Sequence, residues 1–309
     1  MSSCGRAKSN SDTSILQIIE IPSVILLFLR PNTDCFRAHA GVRFAGCLER
    51  VSSDYQSRRE IVRFGAMLHS LGFIAATDGN LSVRLDDNRI LVTPTGMSKG
   101  MMTPSDLVVV DMNGRKLKGK RQVTSEIGMH LLIYRMRPDV RGIVHAHPRT
   151  ATGFAAAGMA LNQPLVCEVV IGLGLIPLAP YGTPGTPELA ATLEPLIPQY
   201  DAILMANHGV VTYGPNLQSA YMKMETVEHF AQIALVTHVL GQQKPLACED
   251  LEKLVAARSR YLGVNSAAPM PVYAGMDEDS SDEPRIVTVK PLRTHAIHHR
   301  RGTAFQREN

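Results

Sequence analysis

Two short apolar runs that each deliver histidine at one end constrain this chain more than any other feature of its 309 residues. The first is Gly142-Ile143-Val144-His145-Ala146-His147. The second is Asp201-Ala202-Ile203-Leu204-Met205-Ala206, followed by Asn207-His208-Gly209. Both have the length of strands. The second is almost wholly apolar, the pattern of a strand whose two faces are covered by helices, and it points to an α/β architecture. On a strand, residues i and i+2 project to the same side, so His145 and His147 share one face. Gly209 lets the chain turn sharply behind His208 and presents that side chain at a strand end. A His-x-His pair is also common as ordinary polar residues and gains weight only with a third partner. Three histidines from two neighbouring strand ends would form the three-ligand arrangement of a catalytic zinc with one position open.

A carboxylate is available in Glu126, which follows Thr124-Ser125 at the expected start of a helix. Unpaired N–H groups and the helix dipole stabilise an anion there. The simpler reading is a first-turn acid that completes helix capping.

Around these residues the pattern alternates. Ile61, Phe64, Met67, Leu68 and Leu71 recur at helical spacing and predict a helix over 54–71. Short β-rich pieces follow at 81–85, 90–93 and 107–111, with Asn113-Gly114 as a hairpin turn. A helix capped by Thr124 or Ser125 runs to about Arg137, the 142–147 run is a strand, and small residues make a helix over 149–158. Leu175–Ala179 reads as a strand, Thr186-Pro187 opens another helix, and Asn216 caps a long one ending near Gly241. Residues 1–52 mix Ser, Cys, Arg and apolar pieces without a period and are expected to be a poorly structured extension. Residues 53–264 form the domain, and residues 265–309, with the acidic run Asp277 to Glu283, read as a disordered tail.

Charge and cysteine usage narrow the function classes. The net charge is +4, but Arg293, Arg300, Arg301 and Arg307 against Glu308 place +3 of it in the last 19 residues. The body is therefore nearly neutral and lacks the basic face that nucleic-acid binding needs. Five scattered cysteines without a C-x-x-C pair argue against a disulfide framework and a thiolate zinc site, and favour a reducing cytoplasm. The apolar run Ser14–Leu29 contains Gln17, Glu20 and Pro22 and is short of the roughly 20 residues that span a bilayer, so no membrane role is expected. His130 lies four residues after Glu126 and reads as a packed or partner-facing residue. His295, His298 and His299 form a tract without a scaffold.

Six stretches occur in an order that resembles the class II aldolase and adducin-head family, near its fuculose-phosphate and rhamnulose-phosphate aldolases. They are Thr77-Asp78-Gly79-Asn80-Leu81-Ser82-Val83-Arg84, Thr93-Pro94-Thr95-Gly96, Thr124-Ser125-Glu126, Val144-His145-Ala146-His147-Pro148, Ile176-Pro177-Leu178-Ala179-Pro180-Tyr181-Gly182 and Asn207-His208-Gly209. The resemblance implies a three-layer fold with a central, largely antiparallel sheet. It also implies one zinc ion per subunit on His145, His147 and His208, replaceable by other divalent metals, with Glu126 as the catalytic carboxylate able to approach the metal. Gly79, Asn80, Thr95, Gly96, Thr124 and Ser125 match the segments that hold the substrate phosphate, in keeping with a cradle of turn amides, hydroxyls and a helix N-terminus. Tyr261 stands about where the family has a tyrosine contributed by a neighbouring subunit of a homotetramer with interfacial sites.

The implied chemistry is cleavage of a ketose 1-phosphate to dihydroxyacetone phosphate and an aldehyde, with a zinc-stabilised enediolate and Glu126 as general base in the condensation direction. Same-fold alternatives are a sugar-phosphate epimerase, a dehydratase and an oxo-sugar-acid phosphate decarboxylase. A non-catalytic adducin-like interaction module and a polyanion binder acting through the tail stand outside the enzyme class. Three departures from the aldolase pattern bear on the substrate: Asp78 beside the phosphate turn, a 167–171 segment without tyrosine, and Thr124 in place of a serine.

Overall fold

The computed structural model describes residues 41–262, with side chains over 54–258 and at Arg260; the first 40 residues, the tail and the His295–His299 tract lie outside the described residues. A single eight-stranded sheet runs through the described part in the order β4-β3-β2-β1-β5-β8-β7-β6. Its strands are β1 (Asn80–Arg84), β2 (Ile90–Val92), β3 (Val108–Val110), β4 (Lys116–Lys118), β5 (Gly142–Ala146), β6 (Leu178–Ala179), β7 (Ala202–Met205) and β8 (Gly209–Gly214). Every neighbouring pair is antiparallel except β6 and β7. Seven α-helices accompany it among the described residues: α1 (Gly41–Ser70), α2 (Ile127–Met136), α3 (Arg149–Ala156), α4 (Cys167–Gly172), α5 (Pro187–Leu193), α6 (Leu217–Val239) and α7 (Cys248–Leu262). None of the described helices is long and apolar enough to cross a membrane.

The period-2 rule sorts the strand residues into two cores. Val144, Ala146, Ala202, Leu204 and Val210 pack with Ile61, Phe64 and Leu68 of α1 and with α6 on one side. Ile143, Ile203, Met205, Val211 and Tyr213 pack with Met129, Ile133 and Tyr134 of α2 and with Leu189 and Leu193 of α5 on the other. Helix layers on both faces explain why β3, β7 and β8 are buried at every position. The expected three-layer α/β fold with a largely antiparallel sheet is the fold observed.

Several local expectations need correction. Helix α1 begins at Gly41 rather than Asp54, because only its second half carries the apolar period that marks a helix against a core. Leu175–Ala179 shortens to the two-residue β6, with Ile176 reduced to an isolated bridge to Leu161. The helix after Thr124-Ser125 begins only at Ile127. Glu126 occupies its N-cap position and makes no side-chain cap. The strand after His208 was not visible as a separate element, yet β8 lies between β5 and β7. His208 thus sits immediately before β8, the direct neighbour of the β5 strand that carries His145, rather than at the end of a strand that itself pairs with β5.

Candidate metal centre and active site

The sheet register assembles the site. Asn80 of β1 stands opposite His145 of β5, and Ala146 opposite Val210 of β8, so the ends of three strands meet. His145 and His147 share a face as expected, and Asn207, at φ +56°, turns the chain so that His208 swings back over them. The three imidazole rings pack edge to face, with centroids 4.8 to 5.2 Å apart. Gly79 approaches from the other side in a left-handed conformation, φ +67°, and a Cβ built there would stand 2.7 Å from the His145 carbonyl oxygen. Only glycine fits both the backbone angle and the space.

Glu126 reaches into this cluster. Its Oε2 lies 3.2 Å from His145 Nε2 and its Oε1 lies 3.1 Å from His208 Nε2, while Asn80 Nδ2 donates to Oε2 at 2.7 Å. These contacts replace the capping role that its position at a helix start suggested. Burial opposes its ionisation, but His145 and His208 outweigh that and hold the carboxyl far below the usual carboxylate range. His145 is fully buried and donates from Nδ1 to the Val210 carbonyl oxygen at 2.9 Å, which turns Nε2 inward. Burial disfavours its charge, yet Glu126 raises its pKa. Burial, with the field of His145 and His208, pushes His147 down to about 4.

The donor set fits a divalent cation. His145 Nε2 and His147 Nε2 are 3.1 Å apart, and nitrogens bound at about 2.0–2.1 Å to a tetrahedral metal stand roughly 3.3 Å apart. Ligand atoms of His145, His147 and His208 all lie within 4.8 Å of one another. Glu126 Oε1 and His208 Nδ1 are buried without a hydrogen-bond partner, a costly state that a bound cation would relieve. The fixed tautomer of His145 is the orientation that a nitrogen ligand requires.

The remaining residues singled out in the sequence divide into two groups. Thr95 donates its N–H to the Gln122 carbonyl oxygen at 3.2 Å, and Pro94 bridges Val123. The Thr95-Gly96 turn therefore runs beside the segment leading into Thr124 and Ser125, with Thr95, Gly96 and Ser125 exposed and Thr124 buried. Asn80 differs from these, because its side chain is committed to Glu126 and His130. Tyr261 lies on α7, which packs against α4, and its side chain is outside the described residues.

One neighbour of the site was not foreseen. Lys99 is 2% exposed and donates to the carbonyl oxygens of Thr77 at 2.5 Å and Met97 at 3.0 Å, tying the loop before Gly79 to the Gly96 turn. Burial pushes its pKa down to about 8 against the pull of Asp78 and Glu126. Nothing periodic marks this lysine as buried; its place between Ser98 and Gly100 in a turn-rich segment reads as surface. Asp78, already noted for its charge, places Oδ2 3.6 Å from His147 Nδ1.

Comparison with known proteins identifies the family. The family model for the class II aldolase and adducin N-terminal domain matches residues 59–235. The chain is 34% identical over 210 residues to a 3-oxo-tetronate 4-phosphate decarboxylase of Pectobacterium atrosepticum, covering 66% of this chain and 94% of that protein. It is 34% identical over 209 residues to a 5-deoxy-D-ribulose 1-phosphate aldolase of Bacillus thuringiensis serovar kurstaki, covering 67% and 97%. A solved L-fuculose 1-phosphate aldolase superposes with a TM-score of 0.62 at 31% identity, over 67% of this chain and 96% of that one. The chain belongs to the class II aldolase and adducin N-terminal domain family. Within that family it is an enzyme of the class II aldolase type, a lyase, and it carries the histidine triad that could hold a metal.

Proposed function

We propose that this chain is a zinc-dependent aldolase that cleaves a ketose 1-phosphate of the fuculose or rhamnulose type to dihydroxyacetone phosphate and an aldehyde. The observation that carries the reading is the convergence of His145, His147 and His208 with the buried Glu126 carboxylate at one end of the sheet. His145, His147 and His208 would hold one divalent cation per subunit, zinc by preference and cobalt or manganese as substitutes. Such a cation supplies Lewis-acid polarisation of the substrate's oxygens.

The chain's own residues do the rest. Glu126, ionised and held in place by Asn80, moves the proton at the substrate carbon next to the carbonyl: it removes it in condensation and returns it in cleavage. The backbone around Gly79-Asn80, the Thr95-Gly96 turn and the Thr124-Ser125 segment form the phosphate cradle, with Lys99 as a buried positive charge behind the first of them. Tyr261 of a neighbouring subunit completes the acid–base set in a cytoplasmic homotetramer with interfacial sites.

A second reading shares the same centre. The Pectobacterium decarboxylase is as similar to this chain as the Bacillus aldolase, and loss of carbon dioxide from an oxo-acid leaves the same kind of carbanion as aldol cleavage. One experiment separates them. The purified full chain and its His145→Ala variant are analysed for metal and assayed with fuculose 1-phosphate, rhamnulose 1-phosphate and a 3-oxo-tetronate 4-phosphate. Dihydroxyacetone phosphate released by the metal-loaded wild type alone supports the aldolase; carbon dioxide from the oxo-acid overturns it in favour of the decarboxylase.

A further inference from the structure

A line of buried polar side chains runs behind Glu126 on the α2 face of the sheet. Alternation in β1 sends Leu81 to the α1 side and sends Asn80 and Ser82 to the α2 side. There α2 presents His130 and Tyr134, four residues apart on one helix face. Ser82 and His130 are 0% exposed, Tyr134 1% and Asn80 3%. Tyr134 Oη and Ser82 Oγ are 2.9 Å apart, Ser82 Oγ and His130 Nδ1 2.7 Å, His130 Nε2 contacts Asn80 Oδ1, and Asn80 Nδ2 reaches Glu126 Oε2 at 2.7 Å.

Donor and acceptor chemistry allows one direction along this line. An ionised Glu126 only accepts, so Asn80 must turn its NH2 toward it. The Asn80 carbonyl then faces His130 and only accepts, which puts the proton on Nε2. Burial drives His130 down to about 3, so the ring is neutral and its Nδ1 is bare. Ser82 therefore donates to Nδ1 and accepts from the Tyr134 hydroxyl. Reversing the Asn80 amide would set its carbonyl against the carboxylate, a repulsive contact in a dry interior that no His130 tautomer relieves.

We propose that Ser82, His130 and Tyr134 are positioning residues which, by fixing the amide orientation of Asn80, hold the Glu126 carboxylate in the rotamer that faces His145 and His208. The proposal rests on the reading of Glu126 as the proton-transferring group. It assigns these residues a part in catalysis without contact to substrate, and it explains why four polar side chains stand in a face that is otherwise core.

The test uses the full-length chain loaded with zinc, and with cobalt as a spectroscopic probe, in Ser82→Ala, Ser82→Thr, Tyr134→Phe and Glu126→Gln. Glu126 lies 3.1 to 3.2 Å from two candidate ligand nitrogens, so a change in its rotamer alters the visible absorption of bound cobalt. Ser82→Ala is expected to lower kcat about ten- to a hundredfold, the usual range for partners one shell behind a metal site. KM and metal content should stay within about twofold, the cobalt bands should shift, and Ser82→Thr, which keeps the hydroxyl, should restore both. Unchanged kcat and spectrum, or a loss that threonine does not recover, overturns the proposal. If Ser82→Ala does not fold, Tyr134→Phe carries the test with a smaller fall in kcat and the same spectral shift, and no change in either overturns it. Retained cleavage in Glu126→Gln overturns the reading of Glu126 itself and is distinguished by that variant alone.

Discussion

Gly209→Ala offers a direct check on the packing that builds the centre. Gly209 opens β8, and a Cβ built on it would lie 2.4 Å from His147 Cδ2 and 2.7 Å from the Ala146 carbonyl oxygen. Carbon atoms in contact settle at about 3.5–4.0 Å, so relief requires the His147 ring to retreat by about 1 Å. Cδ2 is bonded to Nε2, the atom that stands 3.1 Å from His145 Nε2, and the displacement passes to the ligand position. Metal–ligand distances tolerate only about 0.2 Å, so a shift of this size removes His147 from productive geometry. Zinc affinity, measured by competition with a chelator, should fall at least ten- to a hundredfold, about 1.4–2.8 kcal/mol. Overpacking costs a further ~1–3 kcal/mol of fold stability and lowers the melting temperature of the metal-free protein by several degrees. Gly153→Ala on α3, whose Cβ meets nothing within 4 Å, is the control and should leave affinity unchanged. Zinc binding by Gly209→Ala within about twofold of wild type would refute the argument that the β8 backbone sets the position of His147.

Other perturbations have defined outcomes. Glu228 on α6 accepts from the backbone N–H groups of Thr150 and Ala151 at 2.9 to 3.1 Å and so clamps the start of α3, directly after His147. Glu228→Ala leaves the buried Ala151 donor and the half-buried Thr150 donor without their partner and should cost about 1–3 kcal/mol in urea unfolding, with Glu228→Gln recovering part of it. Lys99, lowered from 10.5 to about 8, favours its neutral form in the folded state. Its charge therefore penalises folding fully below pH 8, and stability relative to Lys99→Met should rise between about pH 8 and 10.5, by at most about 3 kcal/mol; a flat difference across that window would contradict it. Asp78→Asn removes an anion beside the proposed cradle and should lower KM for a ketose phosphate while leaving kcat near wild type. Tyr261→Phe should lower kcat with metal content unchanged, and full activity in that variant would remove Tyr261 from the acid–base set.

The sequence revealed what local pattern encodes. Ile143 and Val144, alternating between opposite cores, and the apolar run through Met205 announced a sheet covered on both faces, and the Asn216 and Thr186 caps are present as side-chain hydrogen bonds to Ser219 and Glu188. The histidines were legible because i and i+2 on a strand must share a face. What was not legible depends on register between segments far apart in the chain. Strand β8 was hidden because Val210–Gly214 follows β7 with no more than a tight turn between them. The link from Ser82 to His130 spans 48 residues and that from Asn80 to Glu126 spans 46, so no window contains either. Helix α4 is only six residues long, too short for a period to show, whereas α7 carries Leu251, Leu254 and Val255 at helical spacing, a signal that could have found it; Lys99 was masked by turn residues on both sides.

The polar residues of β1 also explain where this fold departs from its own rule. On the α2 face the sheet elsewhere contributes Ile90, Val92, Val108, Val110, Ile203, Met205 and Val211, as a doubly covered sheet should. Asn80, Ser82 and His145 break that pattern in one place, and α2 breaks it opposite them with His130. Each polar group would cost stability if buried alone, and Asn80, Ser82 and His130 find their partners in one another, in Tyr134 and in Glu126, while His145 also bonds the Val210 carbonyl oxygen. The group is therefore conditional as a whole: a half-satisfied set is worse than an apolar core. A core that served stability alone would place apolar side chains here, so the violation, and the unpaired Glu126 Oε1 and His208 Nδ1 it leads to, together locate the part of the fold that stability does not explain.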